Sequence, residues 1–137
     1  MRVGAGILAI LCSLVIASAA GAEIAGTTDK QVQALANPLL DTVFEGMADE
    51  NYDIYTKHFD ATMKESISPD RFKQISQQIK EMFGTYLYRE YLGFLNKSDS
   101  TIILWKGVFD KAANDVLIKL VVSKRGDKYV ITGLWFE

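Results

Sequence analysis

One cysteine, one histidine and two prolines stand in 137 residues, and each scarcity closes off a class of protein. Cys12 alone cannot build an internal disulfide framework. One Cys with one His cannot supply a zinc site made of those two ligand types. Two prolines, ten glycines and 49% hydrophobic residues exclude collagen-like, low-complexity and disordered chains. Positive charge is also short: 15 Lys and Arg against 17 Asp and Glu leave a formal charge of -2. No basic block is present for a nucleic-acid partner. The chain has no Gly-rich phosphate loop, no nucleophile elbow and no H-E-x-x-H motif. Asp49, Glu50 and Asp53 are too few, and too much like helix caps, for a calcium loop. No metal, cofactor or catalytic set is therefore expected, and the length holds one domain.

What is present begins with an address. Met1 and Arg2 give a basic start, Val3 to Ala19 is an apolar run broken only by Gly and Ser (Cys12 apart), and Ala20-Gly21-Ala22 follows. This is the order of a secretory signal peptide over residues 1–22, with Ala20 and Ala22 as the small-residue pair. Cleavage after Ala19 is the alternative, and a retained anchor is the competing interpretation. The glycines and the small-residue end favour removal. Leu11 precedes Cys12, where a lipid-modified Cys wants a small residue. The expectation is an exported protein (periplasmic, cell-surface or secreted) with no stable membrane insertion once residues 23–137 are released.

Thr28-x-x-Gln31 forms a capping box, so a helix is predicted to start near Asp29. Its apolar stripe is Val32, Leu35, Leu39, Val43, Phe44 and Met47, with Pro38 expected to kink it or delay its start. Gly46 and the polar residues after Ala48 mark a break. Asn51 is placed to cap a second short helix with Tyr52, Tyr55, Phe59 and Met63 inward. Ser68-Pro69-Asp70 opens a third, carrying Phe72, Ile75, Ile79 and Met82, with Gly84 as its cap. From Thr85 the period changes to that of strands: 86–95, 101–109, 116–123 and 128–136, joined by short polar turns. The fold class expected is α+β, with N-terminal helices packed on a curved four-stranded antiparallel sheet.

Asn51-Tyr52, Tyr55, Phe59-Asp60, Met63, Phe72, Ile79 and Phe83-Gly84 are followed by Gly107-Val108-Phe109 and the ending Ile131 to Phe136. This set resembles a family of small exported domains of the nuclear transport factor 2-like superfamily, over about residues 43–136. The resemblance implies a cone-like sheet around the helices, often with a ligand-binding pocket, and pairing of sheets into dimers. Enzymatic members resemble steroid isomerases and dehydratases, and no motif here matches their catalytic sets residue by residue.

His58, beside Asp60 and Asp53, has the residue types of a base held by a carboxylate. With Phe59 inward, however, a helix turns His58 to the polar side with Lys57. Asp53 and Lys57 are spaced as a surface pair. Arg125-Gly126-Asp127 spells an adhesion tripeptide, and equally a charged hairpin turn. Tyr86, Tyr88 and Tyr91 offer a stacking surface or ordinary cross-strand packing. Glu90 is the acid nearest an inward strand position.

With an even loop in the last hairpin, one face carries Val116, Ile118, Leu120 and Val122 with Tyr129, Ile131, Gly133 and Trp135. The other carries Leu117, Lys119, Val121, Val130, Thr132, Leu134 and Phe136. That second face is too apolar for water and is expected to form a homodimer. The function expected is a non-catalytic module that self-associates and binds a small apolar ligand or a protein partner. The alternative is a small isomerase- or dehydratase-like enzyme using an acid in the pocket.

Overall fold

The computed structural model of the protein describes residues 24–137. The segment expected to be a signal peptide, its expected cleavage site and Cys12 lie outside the described residues. Four helices precede four strands: α1 (Asp29–Ala48), α2 (Tyr52–Tyr55), α3 (Ala61–Ser66), α4 (Pro69–Phe83), β1 (Tyr86–Asn96), β2 (Thr101–Phe109), β3 (Val116–Arg125) and β4 (Lys128–Phe136). The strands form one open antiparallel sheet in the order β1-β2-β3-β4. The fold is α+β, as the change of period at Thr85 predicts.

Local chemistry sets most helix starts. Thr28 accepts from the Gln31 amide, and Gln31 Oε1 reaches back to the Thr27 amide at 3.0 Å. The reciprocal bond thus falls one residue earlier than in the usual capping box. Ser68 caps α4 by accepting from the Arg71 amide at 3.1 Å, with Pro69 at the first position. Pro38 does not delay α1, which is helical from Asp29 onward. Gly46 does not end it either. Any Cβ there would collide with the backbone of Tyr55, so this glycine lets α2 press against α1.

The second expected helix is two. Asp60 accepts from the Met63 amide and starts α3 afresh. Just before it, the Ile131 amide donates to the His58 carbonyl at 2.7 Å, and the Asp60 amide donates to the Ile131 carbonyl at 3.0 Å. Phe59 therefore forms a parallel bridge with β4, and backbone committed to a strand cannot also continue a helix. The inward set survives the break: Tyr55 and Phe59 are buried, and Tyr52 and Met63 pack against the core.

The core lies between the helices and one face of the sheet, where Ile103, Trp105, Ile118, Leu120, Val122 and Ile131 meet Val32, Leu40 and Val43 of α1. Arg89 on β1 ties the two layers. Its Nη2 donates to Asp41 at 2.8 Å and Asn37 Oδ1 at 3.2 Å, and Nη1 donates to the Tyr86 hydroxyl at 3.0 Å. The side chain is only 13% exposed, and its guanidinium sits 5.7 Å from the Trp105 ring centroid.

The last hairpin turns through Gly126 and Asp127, so its loop is even, and Val122 pairs with Ile131 as expected. Beyond that point Thr132 is an extra residue in β4, and the pairing shifts: Val121 with Gly133, Leu120 with Leu134, Lys119 with Trp135, Ile118 with Phe136. One inserted residue exchanges the faces of everything after it. Leu134 and Phe136 consequently pack inward against the core, while Trp135 faces out with Lys119 Nζ 4.7 Å from its ring centroid. The face predicted to hold Leu117, Lys119, Val121, Val130, Thr132, Leu134 and Phe136 is thus divided. Leu117, Lys119, Val121 and Val130 stay outside, and Trp135 joins them. Ile102, Leu104 and Val108 of β2 and Tyr88 and Leu95 of β1 extend this outer surface. Two ion pairs interrupt it, Lys106–Glu90 at 3.0 Å and Lys119–Glu137 at 3.6 Å.

Candidate functional site

A cavity of about 490 Å³ opens where α4 stands off from α1 and the sheet. Phe44 and Met47 come from α1, Phe72 and Ile79 from α4, Tyr86 from β1 and Phe109 from β2. The aromatic rings are locked against one another. Phe44 stacks on Tyr86 with centroids 3.7 Å apart and planes 5° from parallel. Phe109 meets Tyr86 edge-on at 5.6 Å, and Phe136 meets Phe44 at 5.8 Å. These contacts make a rigid apolar floor.

α4 has a double character that produces the gap. Of its fifteen residues only Phe72 and Ile79 are buried. Lys73, Ser76, Gln77 and Lys80, at i, i+3, i+4 and i+7, form a polar stripe beside them and line the cavity. The end of the helix is clamped. Gly84 adopts φ 81°, the Thr85 amide donates to Asp110 Oδ1 at 2.7 Å, and the Lys111 amide donates to the Phe83 carbonyl at 3.0 Å. A Cβ on Gly84 would strike the Asp110 carboxylate, so glycine is needed there for both conformation and space.

Ser76 lines the same wall, and its Oγ is buried with no hydrogen-bond partner among the described residues. Leaving a buried hydroxyl unpaired costs about 1–3 kcal/mol, a cost relieved if the side chain rotates to meet a polar atom of an occupant. Glu50 is the acid on the lining and is exposed.

Glu90, Asp53 and His58 do not line the cavity, whereas Glu50 and Tyr86 do. Glu90 is on the outer face with Lys106, whose ammonium pKa it raises by hydrogen bond and charge. Asp53 is exposed on α2, and the ion pairs of the described residues do not include Asp53–Lys57. His58 is half-buried in the bridge to β4. Partial burial, then the Lys57 charge, lowers its pKa, which opposes the cationic form. Its structural contribution is a backbone carbonyl. Tyr86 and Tyr91 face the core while Tyr88 faces out, so the tyrosines share no single surface. Arg125 lies 4.0 Å from Asp60, which engages the first residue of the adhesion-like tripeptide with the start of α3. Among the described residues no cluster of three metal-ligating side chains occurs, and no helix is long and apolar enough to cross a membrane.

The polar stripe of α4 was not singled out from the sequence. Its spacing is legible, but Lys and Gln at i, i+4 and i+7 read equally as a solvated helix face. No protein-family model matches this chain, and no curated protein and no solved structure matches it either.

Proposed function

We propose that this chain is a non-catalytic binding module whose helices and sheet enclose a small, largely apolar ligand. The aromatic-floored cavity beside α4 carries the proposal. At about 490 Å³ it lies within the range of small-molecule sites, roughly 300–1,000 Å³. The order of helices followed by an antiparallel meander is what a nuclear transport factor 2-like cone requires, and we assign the chain to that architecture. Glu90, Asp53 and His58 all lie outside the cavity, and Glu50, the acid on its lining, is exposed where an acid catalyst needs a desolvated carboxyl. Export belongs to the same proposal. Cleavage before Glu23 leaves two residues ahead of Ala25, whose amide donates to Thr101 at 2.8 Å. The intact mass of protein recovered from its host tests that cleavage, and a product retaining Val3 to Ala19 removes it.

The binding test uses the fluorescence of a neutral apolar dye, N-phenyl-1-naphthylamine. Saturable enhancement is expected, and Ser76→Phe, which fills the cavity, should abolish it while Val121→Asp on the outer face leaves it intact. Enhancement that survives Ser76→Phe but disappears with Val121→Asp places the dye on the sheet and defeats the cavity reading.

A second reading, self-association, is favoured by the outer face. Ile102, Leu104, Leu117 and Val121 form its middle, and Leu95 and Trp135 are 54% and 47% exposed. Both signs of charge lie on it, in Lys106–Glu90 and Lys119–Glu137, so a two-fold axis can oppose Lys of one copy to Glu of another.

A further inference from the structure

We propose that the occupant of the cavity is a single-chain amphiphile with a carboxylate head, its chain over Phe44, Tyr86 and Phe109 and its head at Lys73, Ser76 and Lys80. The inference rests on the binding reading above and names the ligand class.

Charge decides the head group. Lys73 and Lys80 both line the cavity, and the ion pairs found among the described residues include neither. The one lining acid, Glu50, leaves the wall with an excess of one positive charge. An anion gains from that excess and a cation does not. Geometry decides where it sits. Seven residues along a helix separate the two lysine Cα atoms by about 10 Å, with Ser76 between them. Flexible four-carbon stems can swing over that distance, and a lysine ammonium acts as a point charge without a fixed fork. Ser76 Oγ, buried and unpaired, becomes a donor near the midpoint once its side chain rotates into the cavity. The rest of the molecule must be apolar, because the floor away from α4 is built from Phe44, Tyr86 and Phe109. Polar groups there would be desolvated without partners.

Calorimetric titration of the purified protein with dodecanoate, dodecanol and dodecyltrimethylammonium, each below its micelle concentration, tests this. Dodecanoate is expected to bind about tenfold more tightly than dodecanol, the gain of a charge-assisted contact. Lys73→Met with Lys80→Met keeps the apolar stems and should weaken dodecanoate about tenfold while leaving dodecanol unchanged. Both lysines are exposed, so the doubly substituted protein should keep the wild-type circular dichroism spectrum and melting curve. Equal binding of dodecanoate and dodecanol, tighter binding of the cation, or a double substitution without effect overturns the ligand class while the cavity remains a binding site. Failure of dodecanoate, dodecanol and the neutral dye alike removes the cavity reading itself, and this inference with it.

Discussion

Thr101 shows how much one hydroxyl can hold. It is fully buried, accepts from the Ala25 amide at 2.8 Å and donates to Asn96 Oδ1 at 2.7 Å, while Asn96 in turn donates to the Gly26 carbonyl at 2.9 Å. The start of the described chain is thereby fastened to the turn between β1 and β2. Thr101→Val keeps the shape and strands the Ala25 amide, so a loss of about 1–3 kcal/mol is expected in urea unfolding. An unchanged midpoint would show that the chain start does not depend on this contact. Two tyrosines make the molecule sensitive to alkali. Burial pushes Tyr55 from 10.0 up to about 12. Burial, the 2.7 Å bond to Asp29 and that carboxylate's charge push Tyr91 to about 12 as well. The folded state keeps these protons after the unfolded chain has released them. Their contribution is therefore complete below about pH 10 and declines as pH rises towards 12. Urea midpoints should fall between pH 9 and pH 11, and fall less in Tyr91→Phe. A flat wild-type profile over that range contradicts both shifts.

At the scale of elements, Thr132 outweighs its size. The extra residue sends Leu134 and Phe136 inward, where Phe136 meets Phe44 at 5.8 Å and Phe109 at 6.5 Å. Deleting Thr132 removes the unpaired residue and keeps the pairs Val121–Gly133, Leu120–Leu134 and Ile118–Phe136, so strict alternation is restored with Leu134 and Phe136 still inward. The deletion is therefore expected to cost far less than the roughly 3–5 kcal/mol of removing a large core side chain. Thr132→Ala, which gives up only a 3.4 Å hydroxyl contact to the Val121 carbonyl, should cost within about 1 kcal/mol. A loss of about 3–5 kcal/mol on deletion would instead mean that Leu134 and Phe136 had left the core. The elements whose signals are local were legible beforehand. Thr28, Ser68 and Gly84 mark helix ends because each acts on backbone groups within a turn of itself. The division between α2 and α3 was not legible. It depends on Ile131, more than seventy positions away in the chain, bonding to His58 and Asp60.

At the scale of the whole molecule, one sheet carries two apolar faces and the helices cover one. The other holds Leu104, Leu117, Val121 and Trp135 between its two ion pairs. Contiguous apolar patches larger than roughly 300–600 Å² are uncommon on soluble monomers and mark interaction surfaces. Sedimentation at tens of micromolar is expected to show a dimer, and Val121→Asp should dissociate it with the helix-side core intact. A monomeric wild type at that concentration ends the self-association reading. The carboxylate-head inference is independent of this outcome, since the cavity and the outer face share no residue.

By itself, the sequence determined the α+β class, the caps at Thr28, Asn51, Ser68 and Gly84, the four strands and their antiparallel order. All of these follow from periodicity and from backbone bonds made over a few residues. It also determined which residues are apolar enough to be buried. Only the tertiary structure decided where some of them point. Val121 to Phe136 can alternate in two ways, and the choice lies in the single residue Thr132 that the sheet leaves unpaired. The cavity was likewise beyond periodicity. Phe72 and Ile79 bury α4 on one side, and the neighbouring stripe of Lys73, Ser76 and Lys80 faces the cavity because of where α4 lands relative to α1 and β1. That position is set by contacts distant in sequence. The same stripe on a helix packed flush against the sheet would be an ordinary solvated edge.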